Sequence, residues 1–317
     1  MSHITVLAGG SGAAKFVPSI VEVLREEHVQ LVVNVGDDHE YWGLSISPDI
    51  DSLLYALAGE LDPKRGWGRR DETFNCLDTI RKLDSPTWFQ IGDRDLATHI
   101  VRSDLLRQGY NLEEATFELA ERFGVGTLVM PASNTPVRTE IHTKDGTLGF
   151  QEYFVRENCQ PKVLGVTYNG AATAEPPDNV IKSIMTAERV VLAPSNPVTS
   201  IGPILAIPSI RQALCKTEAG IVAISPIIGS QAVTGPAAQL MQATGQEEVS
   251  AKAVAERYQD FLDQIVIHTV DLPSIDRIRA TGVNVWVDNI LINNTEDAQR
   301  LAQRVTDENR AVVRKRF

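Results

Sequence analysis

The sequence has few of the residues on which several common kinds of site depend. Its 317 residues include only three cysteines and six histidines. Cys76, Cys159 and Cys215 lie far apart with no CxxC pair, so neither a disulfide framework nor a thiolate zinc site is expected. There is no HExxH and no GxSxG motif, which leaves out the usual signatures of zinc proteases and serine hydrolases.

Positive charge is also scarce, and long apolar stretches are missing. Lys and Arg number 30 against 41 Asp and Glu, which gives a formal net charge of −11. Nucleic-acid-coating proteins need a basic surface, so no nucleic-acid partner is expected. No apolar run could span a bilayer and no signal peptide is visible, so we expect no membrane association and a cytoplasmic location. The ordinary hydrophobic content of 43% favours a globular fold, and we predict one domain over residues 1–317.

Short apolar runs that alternate with helical patterns predict a mostly parallel sheet with helices on both faces. Ile4–Ala8 and Leu31–Val35 are strand candidates, and the apolar residues between them follow helical spacing. Continuous apolar strands of this kind are typical of buried α/β sheets, so a Rossmann-like fold is predicted. Pro18 is expected in the first turn of the intervening helix. Further strands are predicted at residues 127–130, 162–167, 189–193, 220–225 and 265–268.

Two segments interrupt this alternation. Residues about 51–123 show helical patterns without a clear parallel strand, which predicts a helical insertion after the second strand. Residues about 137–155 carry Asp145-Gly146 between two extended runs, which predicts a β-hairpin. From about residue 250 the chain is predicted to be helical apart from the strand at 265–268.

Glycine-rich and proline-rich loops follow several of the predicted strands. Gly10, Ser11 and Gly12 come directly after the first strand and open a helix, where free N–H groups favour an anion such as a phosphate. Lys15 adds a full positive charge nearby. A tight strand-to-helix turn without a ligand is the alternative.

The loop 193–203 combines three prolines with the polar residues Ser195, Asn196 and Ser200. Such a rigid polar loop is suited to recognising a base or a phosphate. Residues 225–229 and 234–236 repeat this composition after the next strand. Because ligands of open α/β sheets bind beyond the carboxyl ends of the strands, these loops predict a shared ligand cleft.

Carboxylates cluster at two further junctions. Asp37 and Asp38 follow the second strand, and Asp49 and Asp51 lie in the first turn of a predicted helix. Oxygen ligands of this kind could hold Mg²⁺ beside substrate phosphates, or bind a ribose hydroxyl. A solvated turn and acidic residues favoured by the helix dipole are the alternatives.

The densest run of charge is Gly92–His99, GDRDLATH, followed by Arg102. If a helix begins near Asp95, then Asp95, Thr98 or His99, and Arg102 share one face. That face is either a solvated lattice of salt bridges or the wall of a site for a charged ligand. Trp67, in the basic loop KRGWGRR, is either a stacking platform for a ring or part of a solvated loop.

Nine segments in order along nearly the whole chain resemble the 2-phospho-L-lactate transferase family of coenzyme F420 biosynthesis. They are GGSG, PDIDSLLY, KRGWG, GDRDLATHIVRSDLLRQG, LGV, APSNPVTSIGPILAIP, ISPIIG, VTGPAAQLM and RYQDFLD. The resemblance implies a Rossmann-like fold with a helical insertion, and a homodimer. It also implies an enzyme that moves 2-phospholactate or enolpyruvyl phosphate from a guanylyl-diphosphate donor to the terminal ribityl hydroxyl of the deazaflavin Fo. GMP leaves, and Mg²⁺ assists.

The resemblance also implies roles for individual residues. Asp51 matches the family's Fo-contacting aspartate, whereas Gln90 stands where the family has a lysine. Residues matching the guanine-nucleotide loops are Gly10, Ser11, Gly12, Ser195, Asn196, Ser200 and Gly202.

On this hypothesis a few charged side chains do the chemistry. Arg94 and Arg102 clamp the phosphate and the carboxylate of the acid with forked donors. Asp51 orients or deprotonates the attacking hydroxyl, and its change to Asn is expected to lower turnover more than donor binding. Mg²⁺ would be held by some of Asp37, Asp38, Asp49 and Asp51.

Two other functions stay open at this point. A non-catalytic, nucleotide-sugar-binding regulatory protein of the related gluconeogenesis-factor type shares the glycine-rich opening and the proline-rich loop, but GDRDLATH and KRGWG favour the transferases. A NAD-dependent oxidoreductase fits the strand–glycine–strand–acid start but lacks a hydride-site motif. Which three-carbon acid is carried, lactate, enolpyruvate or glycerate, is not readable from residue spacing.

Overall fold

A seven-stranded parallel sheet forms the centre of the protein. The computed structural model describes residues 3–233 and 235–307, so Thr234 of the second proline-rich loop lies outside the described residues. The order of the strands is β14-β13-β10-β9-β1-β2-β5, and every neighbouring pair is parallel. These strands are β1 (Ile4–Ala8), β2 (Val29–Val33), β5 (Leu128–Pro131), β9 (Arg189–Leu192), β10 (Gly220–Ile224), β13 (Gln264–His268) and β14 (Asn284–Asp288).

Burial of the central strands shows that both faces of this sheet are covered. All five residues of β1 are buried, and consecutive residues of a strand point to opposite faces. The predicted α/β fold with a mostly parallel sheet is therefore confirmed. The helices are α1 (Gly10–Leu24), α2 (Pro48–Leu57), α3 (Asn75–Lys82), α4 (Asp93–Arg107), α5 (Leu112–Arg122), α6 (Asp178–Thr186), α7 (Gly202–Leu205), α8 (Pro208–Lys216), α9 (Ala237–Ala243), α10 (Ala251–Arg257), α11 (Ile275–Arg279) and α12 (Thr295–Thr306).

The remaining described strands form three small antiparallel sheets. The sheets are β3–β4, β6–β8 and β11–β12, from strands β3 (His39–Tyr41), β4 (Leu44–Ile46), β6 (Arg138–Thr143), β7 (Gly146–Gly149), β8 (Val163–Asn169), β11 (Ile227–Ile228) and β12 (Gln231–Ala232). The hairpin β6–β7 ends at Gly149, and Glu152–Arg156 form a π-helical turn rather than more strand. The strand predicted at 162–167 is real, but it pairs with β6 outside the parallel sheet.

Two local predictions are wrong. Pro18 lies in the middle of α1, not in its first turn. A proline there removes one helical hydrogen bond, but Phe16, Val17 and Ile20 are buried against the sheet and keep the helix in place. The strand β14 was not predicted, because its residues are only partly buried at the edge of the sheet and lack a continuous apolar run.

The order of the strands fixes where a ligand can enter. From β1 the chain moves outward to β2 and β5, and from the neighbouring β9 it moves the other way to β10, β13 and β14. The direction of winding therefore reverses between β1 and β9. At such a switch point the loops beyond the carboxyl ends of the two strands part and leave a crevice.

Candidate active site at the switch point of the sheet

A cleft of about 590 Å³ lies at this switch point. Its lining combines the loops after β1, β2 and β9 with aromatic residues from the α2–α3 and α3–α4 connections and from the segment after β7. The predicted site residues that line it are Gly10, Ser11, Gly12, Asp37, Asp49, Trp67, Gln90, Ser195, Asn196 and Ser200. The predicted site residues outside its lining are Lys15, Asp38, Asp51, Arg94, Arg102 and Gly202.

The glycine-rich loop and the proline-rich loop touch each other. A Cβ on Gly12 would overlap the backbone carbonyl oxygen of Pro194, so only glycine allows this approach. Lys15 is exposed one turn further along α1, away from the lining of the cleft. Gly202 begins α7, where the absence of a side chain leaves room for the hydroxyl of Tyr168.

The proline-rich loop is held by side chains from three parts of the chain. Asn196 Oδ1 accepts the N–H of Val198 at 2.9 Å, and Tyr168 donates its hydroxyl to the carbonyl of Val198 at 2.6 Å. Arg257 Nε donates to the carbonyl of Pro197 at 3.2 Å. Ser195 Oγ, by contrast, is buried at the cleft and has no hydrogen-bond partner within residues 3–233 and 235–307. A rigid loop that presents an unpaired hydroxyl is suited to binding a polar ligand.

Two carboxylates face each other in the floor of the cleft. Asn34 Nδ2 bridges them, donating to Asp49 Oδ2 at 2.8 Å and to Asp37 Oδ1 at 3.3 Å. Burial raises the pKa of Asp49 to about 6. Burial and the nearby charge of Asp49 raise the pKa of Asp37 well above its usual value. Two acidic oxygens that repel each other in a polar cleft are suited to a divalent cation.

Asp37 and Asp49 form a two-carboxylate set for Mg²⁺. The described residues contain no group of three or more His, Cys, Asp or Glu side chains that could hold a metal. Magnesium sites commonly use only one or two carboxylates and complete their coordination with substrate phosphates and water. The pair Asp37 and Asp49 fits that pattern.

Asp38 and Asp51 point elsewhere. Asp38 lines a smaller cavity beside the cleft, accepts the hydroxyl of Ser47 at 2.9 Å, and has a pKa that burial raises to about 7. Asp51 accepts two hydrogen bonds from Arg102, one of them at 2.9 Å. The role of Asp51 as a metal ligand, or as a base in the cleft, does not match this placement, because both of its oxygens face the guanidinium.

Arg102 belongs to a buried ionic network between α2 and α4. His99 lies between Asp51 at 3.5 Å and Asp95 at 3.4 Å, and Tyr55 donates its hydroxyl to Asp95 at 2.7 Å. Burial alone would raise the pKa of Asp95, but the hydrogen bond and charge of His99 hold it below its usual value.

The one-face prediction for α4 is correct in register, since Asp95, Thr98, His99 and Arg102 are all buried. The face points into the protein, which neither predicted alternative anticipated. Arg102 is 0% exposed, is paired with Asp51 and does not line the cleft, so its position does not support the predicted contact with an anion there.

The first turn of α4 takes part in capping two helices. Asp93 accepts the N–H groups of Asn75 at 3.1 Å and Cys76 at 3.0 Å, which caps the start of α3. Glu72 in turn accepts the N–H groups of Arg94 at 2.9 Å and Asp95 at 2.8 Å, which caps the start of α4. α4 therefore begins at Asp93, two residues before the predicted start.

Arg94 does not reach the cleft either. Its side chain is exposed, and its Nη1 lies 3.4 Å from the carbonyl of Arg70. The predicted anion contact of Arg94 is therefore not supported by its position outside the cleft lining.

Aromatic residues form a wall of the same cleft. Trp67 is 38% exposed, which leaves its ring accessible from the cleft. Among the described residues that line the cleft, Arg65 is the one lysine or arginine. Its guanidinium lies 5.1 Å from the centroid of the Trp67 ring and 2.8 Å from Asp62. The other aromatic members of the wall are Trp88, Phe89, Phe150 and Phe154.

Sequence reasoning missed Arg65 as a site residue. The only signal was its place in KRGWG beside Trp67, and a basic loop is usually solvated. The exposed fraction of its side chain, 26%, and its stacking on Trp67 distinguish it from that alternative.

Fold and cleft together define a Rossmann-like α/β protein with a polar and aromatic cleft at its switch point. A family model for "2-phospho-L-lactate transferase CofD" matches residues 4–315, and the chain belongs to this family. The resemblance seen in the sequence is thereby confirmed.

Named relatives agree with this assignment. The chain is 38% identical to the 2-phospho-L-lactate transferase of Methanosarcina mazei over 298 residues, which cover 94% of this chain and 97% of the relative. It is also 38% identical to the phosphoenolpyruvate transferase of Streptomyces coelicolor over 307 residues, or 95% and 96% of the two chains.

A solved structure supports the fold. The crystal structure of a UPF0052 family protein from Bacillus halodurans superposes with a TM-score of 0.68 at 17% identity, covering 96% of this chain and 98% of the other. Within the described residues, no helix is both long and apolar enough to cross a membrane.

Proposed function

We propose that this protein transfers a phosphorylated three-carbon acid from a guanylyl-diphosphate donor to the terminal ribityl hydroxyl of Fo, releasing GMP, with Mg²⁺ required. One observation carries the proposal. A single cleft combines a phosphate-type loop, a pair of facing carboxylates and an aromatic wall. A nucleotide diphosphate and a ring-bearing acceptor need these three surfaces in one cleft when they react with each other.

The donor lies on the side of the glycine-rich loop. Gly10–Gly12 begin α1, whose first N–H groups have no partner within the helix and favour phosphate oxygens. Ser195 contributes the unpaired buried hydroxyl, and the amide of Asn196 fixes the loop beside it. These groups bind the guanylyl half of the donor.

The acceptor lies on the aromatic side. A flat deazaflavin ring gains contact area by stacking on Trp67 and the neighbouring aromatic residues. Gln90 lines the same side and supplies an amide where the family resemblance indicates a lysine. Arg65 is the cation placed to contact the negative charge of the bound substrates, in place of Arg94 and Arg102.

Positioning accounts for most of the catalysis. Phosphoryl transfer asks little covalent chemistry of a protein and depends on alignment and on neutralising charge. Asp37 and Asp49 would hold Mg²⁺, which when bound offsets the charge of the diphosphate. The new oxygen–phosphorus bond to Fo forms as the oxygen–phosphorus bond to GMP breaks, and the proton of the attacking hydroxyl passes to solvent. Asp51 and Arg102 act indirectly, by fixing the first turn of α2 that carries Asp49.

Product mass after incubation with Fo, Mg²⁺ and each guanylyl donor tests this proposal. Fo extended by a phospho-acid, together with GMP, is the expected result. Binding of UDP-sugars with no transfer to Fo would instead favour the regulatory protein. We also propose a cytoplasmic homodimer, following the family resemblance, and light scattering of the purified protein tests the oligomeric state.

A further inference from the structure

A second cavity opens beside the main cleft. Its volume is about 160 Å³, and Asp37, Trp88, Phe150 and Gln151 line both spaces. At about 30 Å³ for each water molecule, there is room for about five waters. The cavity therefore accommodates a short chain of a few heavy atoms rather than a fused ring system.

Three buried polar atoms belong to residues that line this cavity and lack a hydrogen-bond partner. They are Asp38 Oδ1, His39 Nε2 and Thr139 Oγ1, and none is paired in the part of the chain that the structure describes. The other oxygen of Asp38 accepts from Ser47. His39 Nδ1 lies 3.2 Å from the carbonyl of Asp37, and since a carbonyl only accepts, Nδ1 carries the proton and Nε2 is an acceptor. The cavity thus offers two unpaired acceptors and one hydroxyl.

One positive side chain accompanies them. Arg138 lines the cavity, donates from Nη1 to the carbonyl of Val137 at 3.0 Å, and forms no ion pair with a carboxylate in residues 3–233 or 235–307. Glu152, which also lines the cavity, is already paired with Arg156 at 2.6 Å. The charge of Arg138 acts on Asp38, whose pKa it lowers, and its remaining donors can bind a ligand carboxylate.

We propose that this side cavity holds the acid portion of the donor and selects an acid that carries both a carboxylate and a free hydroxyl, such as a glyceryl group. Arg138 binds the carboxylate, His39 Nε2 accepts the hydroxyl proton, and Thr139 donates its own hydroxyl to the oxygen of that group, with Asp38 beside them. A lactyl or enolpyruvyl group has no free hydroxyl once its oxygen carries the phosphate, so it leaves His39 Nε2 unpaired. The inference rests on the proposed transferase function and specifies its substrate.

Two measurements on the intact protein test the cavity. Transfer to Fo is followed as kcat/KM for glyceryl, lactyl and enolpyruvyl guanylyl donors, and the Kd of each donor is measured by calorimetry without Fo. We expect wild type to favour the glyceryl donor by about 10-fold or more in both measurements, because hydroxyl-binding sites reject analogues that lack the hydroxyl.

Variants separate the two contacts. His39→Phe keeps the aromatic packing, with Phe89 4.8 Å away, and is expected to lower kcat/KM for the glyceryl donor more than for the other two, which removes the glyceryl preference. Arg138→Gln is expected to weaken all three donors about 10- to 100-fold and to leave GDP binding unchanged. Thr139→Val repeats the hydroxyl test if His39→Phe does not fold. Lys144→Gln, at the exposed turn of the same hairpin, is the matched control.

The possible outcomes distinguish failure of the cavity proposal from failure of the proposed transferase function. Transfer with equal use of the three donors overturns the cavity proposal and leaves the transferase intact. No transfer, but tighter binding of the glyceryl donor that His39→Phe removes, supports the cavity and overturns the transferase. Loss of GDP binding in Arg138→Gln would also overturn the assignment, since that residue would then serve the nucleotide.

Discussion

Asp49 and Asp51 lie two residues apart in the first turn of α2, yet their surroundings are opposite. Asp49 faces the cleft and another carboxylate, Asp37, with Asn34 between them. Asp51 faces the interior, where Arg102 and His99 surround it. The two residues share a motif, so their position in it does not set their roles. The charge of the neighbouring group does: Asp49, beside another acid, is free to bind a cation, whereas Asp51, beside an arginine, stabilises the fold.

The largest expected effect is a loss of catalysis when Asp49, the member of this pair that faces the cleft, is changed. We expect Asp49→Asn to lower kcat/KM by about 100-fold or more, because one of two proposed ligands of Mg²⁺ is lost. The free energy of unfolding should stay equal or rise, since a buried like-charge contact is removed. Steady-state kinetics across a Mg²⁺ titration, with Asp145→Asn in the exposed hairpin turn as control, measures this. Wild-type turnover in the variant would remove Asp49 from the site.

A change at the ion pair of Asp51, the member of the pair that faces the interior, should lower the stability of the fold. Arg102→Met leaves the Asp51 carboxylate buried without its partner, and we expect a loss of about 3–5 kcal/mol in the free energy of unfolding. Urea denaturation measures the loss, and the double variant Asp51→Asn with Arg102→Met should recover much of it. Arg107→Gln is the control, because its pair with Asp104 is exposed and should matter by less than about 1 kcal/mol. Equal losses in the two arginine variants would contradict the network.

The pH dependence of stability should also reveal the unpaired carboxylates. The pKa of Asp38 is raised to about 7 and that of Asp49 to about 6, from 3.8 in both cases. Between pH 4 and 7 the folded protein therefore holds protons that the unfolded chain has lost, so these groups lower stability as pH rises. Without Mg²⁺, we expect the melting temperature to fall by a few degrees over this range, and less in Asp49→Asn. A rise that is unchanged in the variant would oppose this account.

A moderate effect is expected at the aromatic wall. Trp67→Ala should raise the KM for Fo about 5- to 10-fold by removing the stacking surface, with the Kd for the guanylyl donor unchanged. Phe117→Ala is the control, because this aromatic side chain is 51% exposed on α5 and does not line the cleft. A change in donor Kd without a change in the KM for Fo would place the nucleotide, not Fo, on this wall.

The smallest effect is expected at Arg94. Its side chain is exposed and makes one long contact, so Arg94→Ala should change the free energy of unfolding by about 0.5 kcal/mol or less. We expect kcat/KM to change less than about twofold, in contrast to Arg65→Ala at the cleft. A large loss of activity in Arg94→Ala would restore the role first expected from the sequence.

The sequence was most informative where backbone topology alone decides the outcome. Apolar runs predicted the parallel sheet, and the carboxyl ends of its strands necessarily meet at one edge, so Gly12 and Ser195 come together as expected. Residue spacing also predicted which side chains of α4 share a face.

Spacing could not show which way that face points. A helix face with Asp95, His99 and Arg102 reads as exposed, because charged residues are seldom buried unless they are paired. The pairing partner Asp51 is 51 residues away from Arg102 along the chain, so only the folded structure reveals it. Arg65 was missed for a related reason, since its loop has no periodicity from which a direction could be inferred.

The exchange of caps between Glu72 and Asp93 has a mechanical consequence. Asp93, the first residue of α4, caps the start of α3, and Glu72, just before α3, caps the start of α4. The first turns of both helices should therefore be lost together if the connection between them is cut. Trp88, Phe89 and Gln90 lie inside that connection and line the cleft. This part of the wall is thus held at both ends by the two reciprocal caps, and between them Trp88 and Phe89 pack against the buried cluster that contains Tyr41.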